Sequence, residues 1–226
     1  MECYLEVGCG AGGILHYFRG HGCRVKGIDL GESYIEYGRN LYDLDLSVGT
    51  INNLNLDGTP DLIIYSHVLE HILTPNGELR KVHHILPDTG LLYIEVPGVK
   101  NLLNSYEMDF LRLLQNAHVY HFTLRSLNNL LIRSGFKILV GNETVYSVFG
   151  KVQNGKCSNK IESDYSDVMA YLRKVERLRK LYPIPPYKMK QLPKSIVAST
   201  LKAFGLLDPI RNLYHKIHYR TPFKKG

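Results

Sequence analysis

A chain of 226 residues, 44% of them hydrophobic, can bury one sizeable core and leave material for an appendage. Its four cysteines, Cys3, Cys9, Cys23 and Cys157, form no C-x-x-C pair; that argues against a zinc knuckle or a dense disulfide frame, and reduced thiols in a cytoplasm are expected. No apolar run reaches the roughly 20 residues of a membrane span and no charged segment leads into one, so neither export nor spanning is expected.

The net charge of +7 conceals two unlike parts: residues 1–150 carry 11 Lys+Arg against 16 Asp+Glu, a net −5, and residues 151–226 carry 17 against 5, a net +12. In the acidic part helical and strand patterns alternate. Tyr4 to Val7 reads as a strand that runs into the glycine-rich turn Gly8-Cys9-Gly10-Ala11-Gly12-Gly13. Glycines let the backbone approach a ligand where a Cβ would collide, and the following helix, Gly13 to Arg19, offers unpaired N–H groups to an anionic group. A second strand, Val25 to Asp29, ends on a carboxylate that can accept both hydroxyls of a ribose. The spacing Gly8-x-Gly10-x-x-Gly13 also satisfies the dinucleotide fingerprint, so at this point the motif leaves the nucleoside cofactor open.

Tyr34 to Leu44 reads as a helix, Leu46 to Thr50 as a weak strand, and Asp61 to Ser66 as a strand apolar at successive positions, as a parallel strand covered on both faces should be. A helix over Leu79 to Leu86 and a strand over Leu91 to Val96 follow, then a helix from Ser126 to Ser134 stopped by Gly135. Phe136 to Gly141 and Val145 to Lys151 lie too close together for a helical crossover, so they should pair antiparallel. The expected architecture is α/β, a Rossmann-like doubly wound sheet ending in an antiparallel hairpin.

The loop-like stretch Gln153 to Asn159 separates this domain, residues 1–151, from a basic helical extension, residues 152–226. Within the extension, Tyr165 to Leu181 sets Val168, Tyr171, Leu172, Val175 and Leu178 at helical spacing amid Arg173, Lys174, Arg177, Arg179 and Lys180, and Pro183 to Pro186 stops the pattern. Ile196 to Leu206 and Ile210 to Ile217 read as two more short amphipathic segments. Such stretches can lie on an anionic membrane at the inner face of the cell, pack on the core or against a second copy, or, with lower expectation, meet nucleic acid.

Three motifs in order carry a resemblance. Leu5 to Gly12, Asp61 to His71 and Pro87 to Pro97 resemble the cofactor motif, the fourth strand with its turn and the fifth-strand entry of class I S-adenosylmethionine-dependent methyltransferases, a likeness covering residues 2–151. His118-Val119-Tyr120-His121-Phe122-Thr123, with Ser126-Leu127 and Gly135-Phe136, is similar to the branch that methylates sugars, surface glycans and related metabolites. The resemblance implies the seven-stranded methyltransferase fold, S-adenosyl-L-methionine as cofactor and methyl transfer to a sugar, glycan or small-molecule hydroxyl. Family members carry a helix before the first strand; here that strand begins almost at Met1, so a fragment, or an outer cofactor wall supplied from elsewhere, is expected. A non-catalytic interaction subunit and a tRNA methyltransferase using the basic tail are the alternatives.

Carried over residue by residue, the resemblance implies that Gly8 and Gly10 lie against the methionyl part of the cofactor with Glu6 near its ammonium. Asp29 takes the ribose hydroxyls, Leu30 stacks nearby, Thr50 and Ile51 flank adenine, and Ser66 and His67 border the ligand at the carboxyl end of the fourth strand. A sugar hydroxyl holds its proton too tightly to lose it unaided at neutral pH, and an imidazole is the usual remedy. His121 or His118 is the expected general base with His67 positioning the acceptor; the competing role for the doublet is to cap or buttress the helix after Thr123. His71 is expected to make a structural hydrogen bond, and His83 and His84 to be surface or satisfied groups. No metal is expected.

Overall fold

Seven strands form one sheet in the order β3-β2-β1-β4-β5-β7-β6 in the computed structural model, which describes residues 1–152 and 161–181 together with Lys202, Ala203 and Gly205. β1 (Cys3–Val7), β2 (Arg24–Asp29), β3 (Leu46–Val48), β4 (Leu62–Ser66) and β5 (Leu91–Glu95) are parallel, with β1 between β2 and β4. β7 (Tyr146–Lys151) runs antiparallel between β5 and β6 (Phe136–Gly141), so the closing hairpin stands where its short connection requires it. The chain reverses on either side of β1, and that switch sets the ligand crevice beyond the carboxyl ends of β1, β2 and β4.

Alternate residues of the strands feed clusters of different make-up. Leu5, Val7, Ile28, Ile63, Tyr65, Leu92 and Ile94 pack with Leu79 and Val82 of α3 (Pro75–Ile85), Leu127 and Leu131 of α5 (Leu124–Arg133) and the hairpin's Phe136 and Phe149. Leu15 of α1 (Gly13–Gly20) and Ile35 of α2 (Glu32–Tyr42) meet Cys9, Leu44 and Leu46 in a second cluster. Each such side chain removed from water contributes roughly 1.5–3 kcal/mol, which is why the strands read as near-continuous apolar runs.

The elements occur in the expected order, and their ends move for identifiable reasons. α3 starts at Pro75 rather than Leu79 because proline at the first helical position needs no amide partner and already has a helical φ. α5 starts at Leu124 because Thr123 caps it: the Thr123 hydroxyl accepts from the Ser126 amide at 3.0 Å and the Ser126 hydroxyl accepts from the Thr123 amide at 2.9 Å.

Residues Met1–Leu181 form one compact unit and Tyr182–Gly226 another. In the first unit, two 3₁₀ turns, Val99–Asn104 and Tyr106–Met108, and the short α4 (Phe110–Leu113) bury Val99, Leu102, Met108 and Leu113 together with Val175 of α6 (Tyr165–Leu181). Val168, Tyr171, Leu172 and Leu178 pack partly against the same cluster, and the Tyr171 hydroxyl accepts from the Leu103 amide at 3.1 Å. The apolar stripe read in the extension is therefore covered by this cap. In the second unit the Gly205 amide bonds the Lys202 carbonyl at 3.0 Å. The loop Gln153 to Asn159, Cys157, the Pro183 to Pro186 stop and most or all of the two shorter amphipathic segments fall outside the described residues. Among the described residues, no helix is long and apolar enough to cross a membrane.

Candidate active site

The turn after β1 sits close under the segment that follows β4. Gly8 has φ +71°, and a Cβ there would lie 2.2 Å from Val68 Cγ2, so only glycine lets the two segments meet. The Gly8 and Cys9 amides both donate to the Ile28 carbonyl, at 2.7 and 3.1 Å, locking the turn to β2. Gly10, at φ +52°, faces open space: a Cβ would meet nothing within 4 Å.

Asp29 braces this turn from β2. Its Oδ2 accepts from the Gly10 amide at 2.8 Å and its Oδ1 from the Gly31 amide at 2.7 Å. A carboxylate has about four acceptor positions, so each oxygen keeps one for a ribose hydroxyl. Asp29 lines a cavity of about 460 Å³ together with Val7, Gly8, exposed Leu30, Gly49 and Thr50. The Thr50 hydroxyl accepts from the Asn52 amide at 3.3 Å, whereas Ile51 turns into the core.

Glu6, one residue before the end of β1, is 3% exposed, and its Oε2 finds no partner among the described residues. Burial first, and the charge of Asp29 second, push its carboxyl up to about 8. A cationic group brought beside it would relieve both effects.

The opposite wall of the cavity carries His67, Val68, His71, Ile72, Thr74 and Glu78. His67 has φ +56°, a conformation costly for any residue with a Cβ, and two contacts hold it there: its amide donates to the Glu95 carbonyl at 2.9 Å and its Nε2 lies 3.0 Å from Glu95 Oε1. Hydroxyls of Ser66 and Tyr93 donate to Glu95 Oε2 at 3.1 and 3.2 Å. Ser66 thus supports the His67–Glu95 pair and does not line the cavity. His71 makes the structural bond expected of it, Nδ1 to the Ala117 carbonyl at 2.8 Å.

His118 and His121 stand behind this wall. The His118 ring is 4.9 Å from that of His71, and the His121 ring is 6.0 Å from that of His118, with its Nε2 3.3 Å from the Leu113 carbonyl. Burial, and then the neighbouring imidazoles His71, His121 and His67, hold the His118 ring below its ordinary range. Neither caps α5, a task that falls to Thr123. His84 is exposed, and His83 packs edge-on against Phe136.

Two carboxylates received no role from the sequence. Glu95 stands at the end of an apolar strand and Glu70 between Leu69 and His71; Glu70 is 1% exposed, and burial raises its carboxyl above the ordinary range. The available signal was a carboxylate at the carboxyl end of one apolar strand and another in the turn after its neighbour, where open sheets bind ligands.

A family model described as a methyltransferase domain matches residues 2–140. The chain belongs to that family. It is a methyltransferase, and solved structures share its fold at low identity. A TehB-like S-adenosylmethionine-dependent methyltransferase of Corynebacterium glutamicum is 20% identical with a TM-score of 0.50, the match covering 66% of this chain and 80% of that one. An S-adenosylmethionine-dependent methyltransferase of Clostridium acetobutylicum is 12% identical with a TM-score of 0.53, covering 67% and 84%. The 1,6-didemethyltoxoflavin-N1-methyltransferase of Burkholderia thailandensis, solved with its substrate and S-adenosylhomocysteine, is 17% identical with a TM-score of 0.50, covering 67% and 71%. No curated protein matches the chain.

The residues of this methyltransferase fit S-adenosyl-L-methionine: Gly10 faces open space, Asp29 keeps two acceptor positions for a diol, and Glu6, whose Oε2 has no partner among the described residues, lies two residues before Gly8, where it could meet an ammonium. A second, smaller cavity of about 270 Å³ opens among Cys3, Arg24, Lys26 and Asp45 at the amino ends of the strands, away from this chemistry.

Proposed function

We propose that this chain transfers a methyl group from S-adenosyl-L-methionine to a hydroxyl of a sugar, a glycan or a related small molecule, in a cytoplasm where its free Cys3, Cys9 and Cys23 stay reduced. One observation carries the reading: a single cleft sets Asp29, Leu30 and Thr50 on one wall against His67 and His71 on the other. The bound donor supplies a methyl group already activated by a positively charged sulfur. The chain therefore has to align the acceptor, exclude water and take up one proton.

For the proton the cleft favours His67 over the His118–His121 doublet. His67 lines the cavity and the doublet does not. With Nε2–H donating to Glu95, Nδ1 of His67 is left to accept, and Glu95 acts as a positioning residue, itself held by Ser66 and Tyr93. The acceptor side of the cleft, with His71, Thr74 and Glu78, offers polar partners that a polyhydroxylated molecule can use. Support for the sugar class also comes from the resemblance of the segment His118 to Thr123 to the branch that methylates sugars; its Val119 and Tyr120 amides bond the Glu70 carbonyl.

Contact of residues 165–226 with an anionic membrane, or with nucleic acid, rests on charge rather than insertion over the described part, because the apolar stripe of α6 is covered. The test is transfer of labelled methyl from the donor to a panel of nucleotide-linked sugars, oligosaccharides, phenols and tRNA. Label entering a sugar hydroxyl supports the reading; label entering only tRNA, or only a phenol, overturns the acceptor class.

A further inference from the structure

We propose that Glu70, His71 and His118 form a binding site for one divalent first-row transition-metal cation, set beside His67 at the acceptor side of the cleft. One ligand atom from each of the three residues lies within 4.8 Å of the others. Two imidazole nitrogens and one carboxylate oxygen make the donor set that zinc, cobalt, nickel and iron accept, with positions left for outside oxygens.

The case rests on groups that the fold leaves unsatisfied. Glu70 is 1% exposed, yet neither carboxylate oxygen has a hydrogen-bond partner among the described residues. Two imidazoles stand just beyond hydrogen-bonding length of Oε1, His67 Nδ1 at 3.6 Å and His71 Nε2 at 3.9 Å. A buried carboxylate abandoned in this way is strongly unfavourable unless it is protonated or meets a cation. His118 Nδ1 is likewise buried without a partner.

The second imidazole is prepared in the manner of a ligand. His71 Nδ1 bonds the Ala117 carbonyl, which fixes that nitrogen as the donor and leaves the Nε2 lone pair turned toward Glu70. The residue carrying the third donor is tethered by backbone: Val119 and Tyr120 donate to the Glu70 carbonyl at 2.8 and 3.2 Å, so His118 cannot drift from its partners. Tetrahedral coordination at about 2.1 Å demands donors about 3.4 Å apart, so the side chains would have to close in from the 4.8 Å within which they now lie.

The site itself stands on these contacts; its use rests on the methyl-transfer reading. Because His71 and His67 both line the cleft, a cation here would hold acceptor oxygens next to the proton acceptor and make a bound hydroxyl more acidic. Neighbouring hydroxyls of a sugar can occupy two open positions at once.

The experiment is a Co²⁺ titration of the tag-free full chain, read by visible ligand-field absorption and by calorimetry, alongside an S-adenosylhomocysteine titration of the same preparation. One Co²⁺ per chain is expected, with Glu70→Gln and His118→Gln each weakening it at least about tenfold and the exposed His84→Gln leaving it unchanged. His118 is half-exposed, so its variant reads the site even where loss of Glu70 disturbs folding. Absence of Co²⁺ uptake by the folded wild type, or uptake that His118→Gln retains in full, overturns the site. Failure of S-adenosylhomocysteine to bind overturns the methyl-transfer reading instead, and the two titrations report separately.

Discussion

The two walls of the cleft are built in opposite ways. On the donor side, Asp29 and the glycine turn satisfy each other through the Gly10 and Gly31 amides and the Ile28 carbonyl, within about twenty-five residues of chain. On the acceptor side, His67, Glu95, His71 and His118 come from the segment after β4, from β5 and from the segment before α5, and Glu70 and His118 retain buried atoms with no partner among the described residues. Apart from Glu6, whose Oε2 has no partner among the described residues, the donor wall is a finished mould made mostly of backbone, whereas the acceptor wall is a set of side chains held ready. Substitutions on the first should act on cofactor affinity and stability, and substitutions on the second on turnover.

The largest expected effect lies on the acceptor side. His67→Gln should lower kcat by roughly a hundredfold or more while leaving S-adenosylhomocysteine affinity within about twofold. Steady-state kinetics paired with calorimetry checks it; unequal walls would be refuted by a variant that loses cofactor binding and turnover together.

Next comes the donor wall. Gly8→Ala combines an unfavourable positive φ with a collision against Val68 Cγ2 at 2.2 Å, and should destabilise the fold by about 2–3 kcal/mol in chemical denaturation. Adding Val68→Ala should return part of that loss, because the contact goes while the backbone strain stays.

The smallest effect belongs to Glu6. Its folded carboxyl, near 8, stands above the ordinary 4.5, so the stability favoured by the neutral form is complete below about pH 4.5 and is lost as pH rises through 8. Binding an ammonium beside Glu6 favours the ionised form, so S-adenosylhomocysteine should bind more tightly as pH climbs toward 8, by at most about tenfold per unit, with a proton released. Glu6→Gln should flatten that dependence in calorimetry run in buffers of different ionisation enthalpy.

How far the sequence could be read follows the same division. The glycine turn, the acid at Asp29 and the order of strands are local patterns a few residues wide, and the cleft lies where they place it. Helix ends at Pro75 and Thr123 shifted because first-turn chemistry, rather than apolar spacing, sets where a helix begins. The acceptor wall was harder. Glu70 and Glu95 are single charges inside apolar runs, and their importance arises only when β4 pairs with β5 in register, setting Ser66 opposite Glu95. Nothing in the spacing of His118 and His121 shows that their segment bonds the Glu70 carbonyl and stands behind His71 rather than on the cleft. Likewise the stripe on α6 looked available for a membrane until the cap covered it.

The central claim is that Asp29 and the turn around Gly8 and Gly10 hold the methyl donor. Calorimetric titration of S-adenosylhomocysteine into the folded wild type and into Asp29→Ala tests it most directly. Binding by the wild type that weakens roughly thirtyfold or more in the variant is the predicted result, since charge-assisted hydrogen bonds to a diol contribute about 1.5–3 kcal/mol each. A folded wild type that ignores the ligand, or an Asp29→Ala variant that binds it equally well, would contradict the account.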